Sequence, residues 1–82
     1  SIAVLQENLS VLRAKADISQ EELASIIGVS RQTYCAIESG KRIMSSSACL
    51  SLVFFFHAIK STRGLIDGLN VFPADLFIKF NA

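Results

Sequence analysis

The chain has 82 residues, 51% of them apolar and only 18% charged, with eight Lys/Arg against seven Asp/Glu for a net charge of +1. That length leaves little margin for a second core, and the apolar surplus over a small interior points to cover by self-association. The near-zero charge is a weak footprint for a nucleic-acid binder and neither supports nor excludes DNA.

Residues 2–16 read as a first helix, with Leu5, Leu9 and Leu12 at i, i+4 and i+7 and Ala16 continuing the stripe. Asp17 breaks the pattern and Ile18 anchors the link. Ser19 then opens a second helix, with Glu22 at capping-box spacing. Leu23, Ala24, Ile26 and Ile27 share one arc of that helix, and Gly28 ends it where the chain needs positive φ. Ser30 is a second N-cap candidate, the next helix runs from Arg31 to about Ser39, and Gly40 is its stop. Residues 19–40 therefore read as a helix-turn-helix, with Ala24 small where the two helices must cross. Turning Tyr34 and Ile37 inward leaves Arg31, Gln32, Cys35, Ala36 and Ser39 on the outward arc. Arg can bond guanine O6 and N7 together, and Gln can do the same with adenine N6 and N7, so Arg31, Gln32, Cys35 and Ala36 are the candidate base-contacting residues.

Arg13, Ser19-Gln20-Glu21-Glu22-Leu23-Ala24, Gly28-Val29-Ser30-Arg31-Gln32-Thr33 and Ile37-Glu38-Ser39-Gly40-Lys41-Arg42 together resemble the Cro/phage-repressor (XRE-like) helix-turn-helix family over roughly residues 9–56. The resemblance implies an all-α fold, a compact lambda-repressor-like bundle of about five short helices. It implies an ion pair between Arg13 and Glu38. It also implies a loop after the recognition helix that lies along the DNA backbone, with Lys41 and Arg42 on phosphates, joined by Gln20 and Ser39. It further implies a transcriptional regulator, a homodimer on a two-fold operator, in the cytoplasm of a prokaryote or encoded by a phage and associated with the nucleoid; repression is the commonest mode of the family, and the sequence does not distinguish repressor from activator.

Ser45-Ser46-Ser47 reads as an N-cap cluster for a fourth helix from about Ser46 to Lys60, with Cys49, Leu52, Val53 and Phe56 inward and Phe54 and Phe55 facing away. Ser61-Thr62 is expected to cap a short fifth helix to Leu69, weakened by Gly64 and Gly68 and closed by Asn70. Phe72-Pro73-Ala74-Asp75 has the signature of a helix start; Leu76, Phe77, Ile78 and Phe80 suit either a last helical turn or a strand. Residues 61–82 are the expected dimerisation region of this single domain, with Phe54, Phe55, Phe72, Leu76, Phe77 and Phe80 as its interface.

Neither catalysis nor a cofactor is expected. The single His57 sits on a Phe-rich helix, and adjacent Glu21 and Glu22 do not face each other on a helix. Cys35 and Cys49 lack metal-ligand or redox-pair spacing, so no metal is expected, and free thiols suit a reduced cytosol. No targeting segment is visible, and the longest apolar stretch, Ala48 to Ile59, is too short to span a bilayer, so no membrane partner is expected. The alternative function is a protein-interaction module, in which the Phe-rich half binds a partner such as a toxin or an anti-repressor.

Overall fold

The computed structural model describes residues 2–71, and within them the chain forms six helices and no strand. They are α1 (Ile2–Glu7), α2 (Leu9–Ala16), α3 (Gln20–Ile27), α4 (Arg31–Glu38), α5 (Ser46–Ala58) and α6 (Lys60–Leu69). The assignments made above for residues 72–82, including Phe72, Leu76, Phe77 and Phe80, lie outside the described residues.

The first helix of the sequence reading is divided. Asn8 leaves helical geometry at φ −104°, ψ 4°. Its backbone N–H reaches Leu5 O at 3.0 Å and its side-chain Nδ2 donates to Val4 O at 2.8 Å. A short side chain that bonds the preceding turn competes with the helix ladder. The apolar stripe crosses the break intact, since Leu5, Leu9 and Leu12 are all fully buried. Asp17 then closes α2 in the left-handed conformation, and Ile18 N–H returns to Arg13 O at 3.2 Å.

The capping box of α3 is formed on both sides: Glu22 N–H donates to Ser19 Oγ at 3.0 Å and Ser19 N–H to Glu22 Oε1 at 3.1 Å. The Ser19 backbone bond holds the Glu22 carboxyl below its ordinary value. Gly28 adopts φ 77°, the conformation only glycine takes freely, and Val29 N–H closes on Ala24 O at 3.0 Å. Ser30 restarts the chain two residues later by accepting from Thr33 N–H at 3.1 Å. The same serine geometry begins α5, where Ala48 N–H donates to Ser45 Oγ at 3.1 Å.

Leu5, Leu9, Leu12, Leu23, Tyr34, Leu52, Val53, Phe56 and Ile66 form the fully buried centre, with Ala24, Ile37, Met44, Ala48 and Val71 around it. Each large side chain among them stabilises the fold by about 1.5–3 kcal/mol. Packing runs α3 on α4 and α5, α1 on α4 and α5, and α2 and α5 on α6. Phe55 departs from the sequence reading. It is half-buried against the core, edge-on to Phe56 with ring centroids 5.2 Å apart, because a helix as uniformly apolar as α5 buries more than one arc. Phe54 stays 49% exposed, and Cys49 is only half-buried, with burial pushing its thiol up.

The α5–α6 junction also differs. α5 ends at Ala58, and α6 starts at Lys60 with Ile59 between them and no side-chain cap of its own. Thr62 is fully buried and works backwards: its hydroxyl donates to Phe56 O at 2.5 Å, while Arg63 Nε donates to His57 O at 2.8 Å and Arg63 Nη2 to Ala58 O at 3.3 Å. The carbonyls that a helix C-terminus leaves open are thus closed by side chains of the next helix.

Candidate nucleic-acid interface

Every outward side chain of α4 is set by what its inner side buries. Tyr34 and Ile37 enter the core. On the other side of the helical wheel, Arg31, Gln32 and Ser39 are exposed, and Cys35 and Ala36 lie half-buried between them. These five residues and Lys41 line one open depression on the surface. Small residues in its floor let another molecule's edge approach the helix, while Arg31 and Gln32 stand exposed at the helix N-terminal end.

The end of α4 is tied to the rest of the domain by a polar cluster. Arg13 Nε donates to Glu38 Oε2 at 3.1 Å and Nη2 to Oε1 at 3.2 Å, a two-bonded fork, and Arg13 Nη1 reaches Ile18 O at 3.3 Å. The side chains keep 26% and 11% exposure. Burial alone would raise the Glu38 carboxyl, but the bonds from Arg13 and Gln20, the nearby Tyr34 hydroxyl and the Arg13 charge outweigh it and hold it below the ordinary carboxylate range; the same bond to Glu38 raises Arg13. The Tyr34 hydroxyl is buried beside this pair with no bond of good geometry. Burial, reinforced by Glu38, pushes its phenol well above the usual range.

Gln20 extends the cluster towards the depression. Its Nε2 donates to Glu38 Oε2 at 3.5 Å and its Oε1 accepts from the Cys35 thiol at 3.2 Å. An ionised carboxylate only accepts, so Glu38 fixes which end of the amide faces it. Gln20 therefore spends one N–H inside the protein and retains the other.

After α4 the chain turns at Gly40, with φ 84°. Gly40 N–H donates to Ile37 O at 3.1 Å, and Lys41 and Arg42 N–H both donate to Ala36 O, at 2.9 and 3.1 Å. Lys41 and Arg42 are both exposed, and Lys41 lines the depression together with Ser39. One residue of this region escaped the sequence reading. Gln6 of α1 donates from Nε2 to Ile37 O at 2.7 Å and to Arg42 O at 2.6 Å. The available signal was position: Gln6 lies two helical turns before Arg13, and so on the side of the first helix that already reaches α4.

Of the residues assigned to a dimer interface, Phe54 and Phe55 lie on α5 and do not line this depression. No helix among the described residues is long and apolar enough to cross a membrane. Among the same residues no three of His, Cys, Asp and Glu group as metal ligands would.

The helix-turn-helix family matches residues 9–52, from the start of α2 into α5. An uncharacterized HTH-type transcriptional regulator of Methanocaldococcus jannaschii is 40% identical over 52 residues, which is 63% of this chain and 79% of that protein. No solved structure matches.

Proposed function

Since this chain belongs to the Cro/phage-repressor-like (XRE-like) helix-turn-helix family, we propose that it is a non-enzymatic DNA-binding transcription regulator that lays α4 in the major groove. Arg31 and Gln32 read base edges by paired hydrogen bonds, with Cys35 and Ala36 allowing close approach. Ser39, Lys41 and Arg42 hold phosphates and set the register, joined by the uncommitted N–H of Gln20. The observation that carries this reading is the outward face of α4: Arg31 and Gln32 are exposed over a floor of small side chains, and Tyr34 and Ile37 root the same helix in the core.

The regulator works as a homodimer, through Phe54 and Phe55 of α5 with Phe72, Leu76, Phe77 and Phe80. The half-exposed ring of Phe54 supports that assignment. Two recognition helices then stand about 34 Å apart, one turn of DNA, on a two-fold operator. The proposed mode is repression by occluding a promoter. Selection of bound duplexes from a random pool tests the whole reading. The expected result is enrichment of a half-site repeated in inverted orientation about one turn apart; a pool that stays random overturns it.

A second reading is a protein-interaction module, favoured by Ile43 at 80% exposure on the loop beside Arg42. Salt separates the two. Phosphate-led binding weakens steeply as salt rises, whereas apolar docking does not.

A further inference from the structure

We infer that Gln6 is a positioning residue of the DNA interface, holding the Lys41–Arg42 loop in the posture that meets phosphate. The inference rests on the DNA-binding reading above. A glutamine amide carries two N–H donors, and here both are spent on main-chain carbonyls far along the chain, Ile37 O at 2.7 Å and Arg42 O at 2.6 Å. One carbonyl belongs to the last turn of α4 and the other to the loop, so a single planar group fixes the loop against the helix that reads bases. The local bonds from Gly40, Lys41 and Arg42 constrain the loop's N–H groups. Gln6 constrains a carbonyl, and with it the peptide plane between Arg42 and Ile43. It acts from α1, before residue 9, where the family match begins.

Gln6 is neutral, which makes its role separable from that of the cations. Replacing it removes no charge, so any change in the salt dependence of DNA binding reports where Lys41 and Arg42 sit. Gln6→Met keeps length and loses both donors. On random duplex the variant should lose roughly 0.9 in the slope of log K against log salt for each phosphate contact released. Affinity for preferred and random duplexes should fall by the same factor, leaving discrimination by Arg31 and Gln32 unchanged. In a Lys41→Ala/Arg42→Ala background, Gln6→Met should have no further effect on the slope.

A folded Gln6→Met chain with the wild-type slope overturns this inference alone, as does the same slope loss in the double-alanine background. A wild type without measurable DNA affinity overturns the parent reading and this one with it. Should Gln6→Met not fold, the wild type decides. Its Gln6 side-chain amide resonances should shift on saturation with random duplex and return as salt displaces the DNA. Gln6 resonances that stay fixed while those of Lys41 and Arg42 move overturn the inference.

Discussion

Arg13→Met leaves the aliphatic stem in place and removes the guanidinium from Glu38. The carboxylate, 11% exposed in the wild type, then keeps a 3.5 Å bond from Gln20 and lies beside an unsatisfied Tyr34 hydroxyl. Breaking a fully buried pair costs about 3–5 kcal/mol, whereas an exposed pair is worth about 0.2–1 kcal/mol. The two-bonded geometry and the low exposure of Glu38 put this pair nearer the first figure, so Arg13→Met should cost about 2–3 kcal/mol at pH 7. Glu38→Gln should cost less, about 1–2 kcal/mol, because Arg13 keeps the Ile18 carbonyl and can reach water. Acid supplies a second check. The Glu38 carboxyl is depressed in the fold, so its contribution is complete above the unfolded value of 4.5 and is lost as pH falls through the lower folded value. Without Arg13, burial raises that carboxyl instead, so the penalty of Arg13→Met should shrink on acidification as the stranded carboxylate takes a proton. Urea unfolding of wild type, both single variants and the double variant, at pH 7 and at steps down to about pH 3, measures both effects. A coupling energy near zero, or a penalty that ignores pH, refutes the argument.

Gln32→Ala should cost about 1–3 kcal/mol at the preferred duplex and relax discrimination at one base pair; Lys41→Ala should weaken all duplexes alike and flatten the salt slope, both read by fluorescence anisotropy titrations. Ser19→Ala removes the acceptor for Glu22 N–H and should lower unfolding stability by about 1 kcal/mol. A bulky adduct on Cys35 should abolish operator binding and break its bond to Gln20, whereas the same adduct in a Cys35→Ser chain should not form; gel shift after mass-verified alkylation checks it. Phe54→Glu with Phe77→Glu should turn a dimer into a monomer in sedimentation, and a wild type that is monomeric at tens of micromolar, roughly the range for a dimer of ordinary affinity, contradicts the proposed interface.

The motif was legible because its signals are local and redundant. Ser19 with Glu22, Gly28, Ser30 and Gly40 are each read from a few neighbouring residues, and each marks a boundary to within a residue or two. The inward pair Tyr34 and Ile37 followed from period alone. What escaped depends on groups brought together from afar, or on competition that a pattern does not show. Leu5, Leu9 and Leu12 kept their period across Asn8, so nothing in the stripe revealed that the Asn8 side chain bonds Val4 O and divides the helix. Thr62 looks like an N-cap beside Ser61, yet burial turns its hydroxyl back on Phe56 O. Gln6 and the inward commitment of Gln20 became visible only once α1, α3 and α4 were assembled.

The joint between α5 and α6 bears on where this protein can be cut. Similarity to the family stops at residue 52, and a chain shortened on that guide would end within α5. Ending it at Ile59 would spare the whole helix but remove Thr62 and Arg63, exposing the carbonyls of Phe56, His57 and Ala58 at once. It would also take Ile66 and Val71 from the interior and leave α2 without the α6 surface on which it rests. The shortest piece that can hold its own shape therefore reaches at least Val71, well past residue 52, where the family match ends. The stretch that matches the family and the unit that is physically autonomous have different edges here, and a truncated fragment that failed to bind DNA would report unfolding before it reported anything about recognition.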